Sequence, residues 1–286
     1  MSQPILIDWQ HGDLPQLMDW PMVVKPREVN LRDFLTNSNL AVPKSPPWIH
    51  STASSHLIPI LEEEKLLAVK CNVFKGEKLC YLFVGRAAYK GKDALNPESW
   101  QLPSVFVMRF STPPPLKRIH PFDTGAFERG RMPDYLTAFK LDDFNVGTDQ
   151  DQIGRLISLY FETPRRYVDR DANDQRKLKE EHLLNMSHAK VLAVSKLYKE
   201  GSTTDCDDRG AVIELQVEQD IPLKKENLLG VVIPEEYART PRVMESLKEL
   251  TNVVETYRLL PINIGQHYGL IYECVERVYK RAGINL

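Results

Sequence analysis

The strand-forming runs of this 286-residue chain fall into two groups that lie far apart in the sequence. The first group comprises residues 79–84 and 105–110, and the second comprises residues 211–217 and 228–234. Between the groups, residues 151–200 have apolar residues at helical spacing. A sheet must therefore be assembled from distant segments. This favours an α+β fold over a doubly wound parallel sheet, in which strands and helices alternate.

The remaining segments have weaker signals. Helices are predicted over residues 53–66, 178–199, 241–258 and 268–280 from their apolar spacing. Prolines are scattered through residues 1–47, which we predict to form an irregular N-terminal arm. Residues 111–144 are rich in Pro, Gly and charge, and we predict one long loop there. A loop of that length in a compact domain is usually functional or disordered.

Composition narrows the class of protein. Hydrophobic residues make up 42% and charged residues 27% of the chain, as in ordinary soluble domains. The net charge of -2 excludes a global basic field, so any nucleic-acid contact must come from a local patch. We expect no signal peptide and no membrane span, because no suitable apolar run is present. Four scattered cysteines favour free thiols in the cytoplasm and no zinc site.

Three short blocks combine polar side chains with strand-forming sequence. The first is His50-Ser51-Thr52, at the end of a predicted strand. The second is the apolar run 79–84, which continues into Arg86. The third places Glu214 inside the run 211–217. The glycines form neither a dinucleotide-binding fingerprint nor a P-loop, so we expect neither fold.

In this order, the three blocks resemble the DarT-type ADP-ribosyltransferases, a group of toxins and anti-phage effectors that modify nucleic acid. The resemblance implies an α+β fold with a split β-sheet core and flanking helices. It also implies that NAD is the donor of ADP-ribose and that Glu214 and Arg86 are catalytic. The residues it assigns to NAD binding are His50, Ser51, Thr52, Tyr81 and Tyr89.

The resemblance also suggests a division of the chain. We predict an arm over residues 1–47 and an ADP-ribosyltransferase-like catalytic core over residues 48–240. Within that core, residues 111–200 would form a loop and helical insertion. Residues 241–286 would form a C-terminal helical segment packed on the core.

The implied chemistry suits these residue types. Breaking the nicotinamide–ribose bond develops positive charge on the ribose, and a carboxylate held on a strand, such as Glu214, favours that charge. The guanidinium of Arg86 can bind a pyrophosphate or the acceptor. The ring of Tyr81 or Tyr89 can stack on nicotinamide, and His50 and Thr52 can hydrogen-bond a ribose or the carboxamide. No metal is needed.

The acceptor is less clearly marked. The arginine-modifying branch of the superfamily has a Glu two residues before the catalytic one, and Val212 stands there in this chain. Arginine is therefore disfavoured as the acceptor. Basic residues interleaved with aromatics suit a single-stranded nucleic acid. The candidate acceptor-binding residues are Gln216, Arg209, Arg118 and Arg131. A toxin would also need an antitoxin or chaperone partner.

Plainer interpretations remain open. His50 can be a structural histidine, and Glu214 can share a solvated sheet face with Gln216. Alternation along residues 211–217 predicts that the face carrying Glu214 is exposed or lines a cleft. Glu235-Glu236 is a rival carboxylate site. A protein side chain can replace nucleic acid as the acceptor, or the chain can be an inactive binding module of the same fold.

Overall fold

The computed structural model describes residues 28–88, 97–200, 208–258 and 266–286. Its strands are β1 Trp48–Ala53, β2 Lys65–Leu66, β3 Val69–Lys70, β4 Lys78–Val84, β5 Pro103–Met108, β6 Arg118–His120, β7 Glu214–Val217, β8 Ile221–Pro222, β9 Leu228–Pro234 and β10 Val254–Tyr257. Its α-helices are α1 Leu31–Asn37, α2 Leu57–Glu63, α3 Thr124–Glu128, α4 Asp134–Thr137, α5 Asp151–Phe161, α6 Pro164–Val168, α7 Gln175–Glu181, α8 Ala189–Glu200, α9 Glu235–Ala238, α10 Pro241–Leu250 and α11 Gln266–Arg281. None of the described helices is long and apolar enough to cross a membrane.

One large sheet organises the fold. Its strands follow the order β10-β9-β5-β1-β4-β7-β6, and β3 pairs with β4 beside this path. The described pairs in this sheet are antiparallel except β9 with β10, which run parallel. Strands β2 and β8 form a separate two-stranded ribbon. A mixed sheet with flanking helices agrees with the predicted α+β class.

Helices cover both faces of the sheet. On β5, Phe106 and Met108 point into a large core that includes apolar residues of α5 and α8. Val105 and Val107, which alternate with them, point into a second core with α11. Helix α11 packs closely because Gly230 of β9 lacks a Cβ, which would lie 2.7 Å from Val278 Cγ1. Both faces of the central strands are therefore buried.

Two expectations about segment type were wrong. Residues 111–144 are not one loop, since they contain β6, α3 and α4. Strand β6 is three residues long and carries two polar side chains, so only its pairing with β7 identifies it. Residues 241–258 are not one helix, because α10 ends at Leu250 and β10 follows. The C-terminal segment thus contributes a strand to the sheet as well as helices that pack on it.

Other boundaries differ from the prediction. Residues 178–199 form α7 and α8, interrupted near Leu183, which has a left-handed φ of 52°. The helix expected over residues 53–66 is the 3-10 turn Ser54–His56 followed by α2. Strand β7 begins only at Glu214, after the 3-10 helix Asp208–Ala211. In each case, local caps and turns end an element that apolar spacing alone would continue.

Strands β1 and β4 diverge. They pair at two positions, Trp48 with Val84 and Ile49 with Phe83, and from His50 onward β1 pairs only with β5. The sheet is a continuous path, so the split core implied by the resemblance does not take the form of two separate sheets.

The divergence leaves a gap along one edge of β4. Backbone groups of successive strand residues point to alternate edges, and the N–H of Val84 donates to Ile213 beside β7. Glu77 lies an odd number of residues before Val84, so its carbonyl points to the other edge, where it accepts from the N–H of Cys71 directly after β3. Strand β3 therefore lies on the same edge of β4 as β1. We call the space between β1 and β3, beside Tyr81, the β1–β3 gap.

Candidate active site

Glu214 is the first residue of β7, and its side chain is fully buried. Its carboxylate accepts hydrogen bonds from Thr124 and Gln216. The hydroxyl of Thr124 donates at 2.7 Å, the N–H of Thr124 at 3.2 Å and the side-chain amide of Gln216 at 2.8 Å. The prediction that this face of the strand is exposed or lines a cleft was wrong, because the start of α3 covers it. Burial with several donors is how proteins hold a carboxylate inside.

Gln216 is also buried, and it connects Glu214 to an ion pair. Its side-chain oxygen accepts from Arg118 Nη1 at 3.1 Å. Arg118 donates to both carboxylate oxygens of Glu77, at 2.8 and 2.6 Å, and its guanidinium lies 4.1 Å from the ring centre of Phe74. The hydrogen bond from Arg118 lowers the pKa of Glu77. Arg118 and Gln216, predicted to bind the acceptor, are therefore engaged with protein groups.

Tyr81 lies beside Glu214 on the same face of the sheet, opposite Gln216. Its hydroxyl is 2.8 Å from the sulfur of Cys71. Burial raises the pKa of Tyr81, and the hydrogen bond to Cys71 and the charge of Glu214 raise it further. The phenol therefore stays protonated, so it can donate a hydrogen bond.

His50 occupies the β1–β3 gap. Its Nδ1 lies 2.9 Å from the carbonyl oxygen of Tyr81, and burial lowers the pKa of the imidazole. A carbonyl only accepts, so we assign the proton of the neutral ring to Nδ1. The ring Nε2 then carries a lone pair that can accept a hydrogen bond. The imidazole of His50 thus takes the backbone carbonyl of Tyr81, which a paired strand would otherwise use.

A cleft of about 290 Å³ adjoins His50. We call it the His50 cleft, and its lining residues are His50, Thr52, His56, Pro59, Ile60, Lys65, Leu67 and Val69. Leu67 and Val69 are 44% and 58% exposed, so an apolar wall faces solvent. The hydroxyl of Thr52 lies 2.9 Å from His56 Nδ1. A mostly apolar concavity with a few polar groups is the usual form of a small-ligand site.

The predicted site residues divide between the two faces of the sheet. Ile49 pairs with Phe83, and Phe83 pairs with Glu214, so these three share one face. Alternation places His50 and Thr52 on the other face and Ser51 on that of Glu214. The hydroxyl of Ser51 is buried with no hydrogen-bond partner among the described residues.

Tyr81 is the residue that joins the two faces. Its carbonyl accepts from His50 through the gap, and its ring lies near Glu214. The structure therefore brings His50, Tyr81 and Glu214 into one connected arrangement over β1, β4 and β7. Their side chains do not share a single open pocket.

Arg86 lies away from the cleft. Its side chain is 1% exposed, donates to the carbonyl of Ala211 and stacks 4.3 Å from the ring centre of Tyr167. In this conformation Arg86 holds the chain just before β7, and its catalytic role stays a prediction. Tyr89 and the side chain of Arg209 lie outside the described residues. Arg131 is half-buried in the turn after α3.

In the sequence, basic residues cluster at positions 117–118 and 165–166, and in the structure these residues pair with acidic side chains. Arg165 pairs with Asp169 and Glu276, and Arg166 pairs with Glu162 and Asp171. Surface ion pairs of this kind contribute little stability, but they reduce the positive field available to phosphates. The clusters around residues 117–118 and 165–166 are therefore weak candidates for a nucleic-acid surface.

A different surface carries two cations beside aromatic rings. A cavity of about 160 Å³ is lined by Trp48 and Phe110, whose ring centres are 5.5 Å apart, and by Lys44 and Arg109. Neither cation lies within ion-pair distance of a carboxylate among the described residues. Cations beside aromatic rings are the pattern expected for a base and its phosphate.

Sequence reasoning missed His120, Thr124 and Glu77 as parts of the site. His120 stands opposite Glu214 in β6, is 1% exposed, and has no hydrogen-bond partner for its Nδ1 among the described residues. Burial lowers the pKa of His120 to about 3, with a smaller contribution from Arg118. The sequence around His120 gave no strand signal. The spacing of two residues between Arg118 and His120, which places both side chains on one face of a strand, was the available hint.

No family model, no characterised protein and no solved structure matches this chain. Within the described ranges, no three His, Cys, Asp or Glu residues are placed to hold a metal ion. Function is therefore inferred from the geometry of the residues and from the resemblance alone.

Proposed function

We propose that this chain is an NAD-dependent ADP-ribosyltransferase with a nucleic acid as acceptor. The observation that carries the proposal is that Tyr81 connects His50, which lines the His50 cleft, with Glu214 on the opposite face of the sheet. These are the residue types, in the chain order, on which the resemblance rests. The proposed donor-binding residue His50 and the proposed catalytic residue Glu214 come from separate sequence blocks.

The His50 cleft suits part of the donor. The lone pair of His50 Nε2 and the hydroxyl of Thr52 can bind ribose hydroxyls or a carboxamide, and the apolar wall can cover a ring. At about 290 Å³, the cleft is near the lower end of ligand-site volumes, about 300 to 1,000 Å³, so it would take one half of a dinucleotide.

Glu214 would act on the ribose. In the reaction, the bond between the nicotinamide nitrogen and ribose C1′ breaks, and its electron pair leaves with nicotinamide. A nucleophile of the acceptor then bonds to C1′ and releases its proton to solvent. A carboxylate held by the donors of Thr124 and Gln216 is preorganised to favour positive charge on the ribose. Because Glu214 is fully buried, a ribose reaches it only after its covering residues move.

The acceptor part of the proposal rests on the resemblance and on the cavity lined by Trp48 and Phe110. Lys44 and Arg109 line that cavity, and neither pairs with a carboxylate of the described residues. Single-stranded nucleic acid is bound by stacking together with phosphate contacts, and such binding weakens with salt. Competition by salt for oligonucleotide binding would therefore support a nucleic-acid acceptor over a protein side chain.

The test is mass spectrometry of acceptor pools. Wild type, Glu214→Gln and the control Glu235→Gln are incubated with NAD and single-stranded DNA, RNA or cell protein. Glu235→Gln removes a carboxylate of the rival site, which pairs with Arg239 at the surface, so this variant compares the two candidate carboxylates directly. We expect an ADP-ribose adduct on a nucleic acid with wild type and Glu235→Gln, and none with Glu214→Gln. An adduct on protein alone would overturn the proposal that the acceptor is a nucleic acid. The absence of an adduct on any pool would overturn the proposal that the chain is a transferase.

A second candidate is an inactive binding module of the same fold. It is favoured by the burial of Glu214 and Arg86, whose polar atoms contact protein groups. This candidate predicts that NAD binds at the His50 cleft and is recovered unchanged. Calorimetric titration of NAD into wild type and His50→Ala, followed by analysis of the nucleotide, separates it from the transferase.

A further inference from the structure

We propose that Arg118 and Glu77 are positioning residues that act on Glu214 through the side chain of Gln216. This inference rests on the proposed function, since it concerns the same carboxylate. The four side chains form one chain of hydrogen bonds, from the Glu77 carboxylate through Arg118 and Gln216 to Glu214.

The orientation of the Gln216 amide is the central point. An amide presents an acceptor on one side and two donors on the other, and a flip exchanges them. Arg118 has only donors, so it fixes the Gln216 oxygen toward itself at 3.1 Å. The nitrogen is then directed to Glu214 Oε1, at 2.8 Å. Without the arginine, a flipped amide would place its oxygen against the carboxylate and repel it.

Arg118 is itself held in place. Its register opposite Gln216 on β7 fixes its backbone, and Glu77 fixes its guanidinium through two hydrogen bonds. The ring of Phe74 stacks on the planar group at 4.1 Å. A bidentate, stacked arginine has a defined direction, which a lysine would not reproduce.

Other described groups face Glu214 but do not replace this chain. Tyr81 faces it from β4, the neutral His120 from β6, and Thr124 from α3. Thr124 donates to both carboxylate oxygens, and its hydroxyl oxygen is also a distant acceptor, 3.5 Å from the Gln216 amide nitrogen. The shorter contact of Arg118 with the amide oxygen, at 3.1 Å, adds a donor that a flipped amide could not satisfy. The network assigns Arg118 a positioning role, in place of the direct contact with the acceptor expected from its sequence context.

The kinetic test uses Arg118→Gln and Glu77→Gln. We expect the kcat for cleavage of NAD to fall roughly ten- to hundredfold in Arg118→Gln, because the carboxylate is misplaced. The KM for NAD should change less than about threefold, since donor contacts are untouched. Glu77→Gln should change kcat in the same direction by less. The control is Arg165→Gln, which removes a bidentate ion pair with Asp169 at the surface and leaves the contacts among Glu77, Arg118, Gln216 and Glu214 in place.

A second readout needs no activity. Proton–nitrogen NMR spectra of the free protein report the Gln216 side-chain amide and the Thr124 backbone amide. We expect both signals to shift in Arg118→Gln and Glu77→Gln, and to stay in place in Arg165→Gln. Unchanged signals in both variants, or a rise in KM with unchanged kcat, would overturn the positioning role. If wild type fails to cleave NAD, the proposed function fails, while the spectra still decide the network.

Discussion

Individual buried polar residues determine the character of the candidate site. His120 is neutral, because burial lowers its pKa to about 3 from the ordinary value of 6.5. Burial also lowers the pKa of His50. At pH values between about 3 and 6.5, His120 binds a proton in the unfolded chain but not in the folded chain. The free energy of unfolding should therefore fall as pH is lowered below 6.5.

This dependence gives a prediction for His120→Leu. Lowering the pH from about 7 to about 5.5 should destabilise wild type by about 1 kcal/mol through His120 alone. The variant should lose that part of the pH dependence, because no group titrates at position 120. Urea denaturation at the two pH values measures it, with His182→Gln as the control. An identical pH dependence in His120→Leu and wild type would contradict the assignment.

At the scale of elements, the end of the central sheet is held by side chains from a helix. The hydroxyl of Tyr167, on α6, donates to the carbonyl of Val84 at 2.9 Å and accepts from the N–H of Ile213 at 3.0 Å. Its ring also stacks on Arg86. These contacts join β4 to the residues that lead into Glu214, so α6 helps to place the carboxylate.

Tyr167→Phe isolates these hydrogen bonds. Removing the hydroxyl leaves the buried N–H of Ile213 without that partner, at a cost of about 1 to 3 kcal/mol. The free energy of unfolding from urea titration should fall by that amount. Tyr237→Phe serves as the control, since Tyr237 is half-buried and makes no side-chain hydrogen bond to a described residue. Equal stability of the two variants would mean that the hydroxyl is dispensable.

At the scale of the whole molecule, the sequence predicted some features and missed others for physical reasons. The runs 79–84 and 228–234 were recognisable because buried strands are continuously apolar, and both are strands in the structure. Strand β6 was not recognisable, because three residues with two polar side chains carry no periodic signal. It forms only because β7 offers a partner, which is tertiary information.

The same contrast applies to the site. Glu214 was singled out as a carboxylate within a strand, and it does form the centre of a polar network. Along the chain, Arg118 lies 41 residues from Glu77 and 98 from Gln216, and Thr124 lies 90 residues from Glu214, so local patterns did not group these partners. The division of His50 and Glu214 between two faces follows from strand register, which a single sequence does not reveal.

The most direct test of the transferase is the release of nicotinamide from NAD, since that bond breaks whatever the acceptor. Chromatography would follow nicotinamide with wild type, Glu214→Gln and His50→Ala. We predict release by wild type, a fall of about a hundredfold or more in kcat for Glu214→Gln, and a raised KM for His50→Ala. Intact NAD with wild type, or equal release by wild type and Glu214→Gln, would contradict the proposed function.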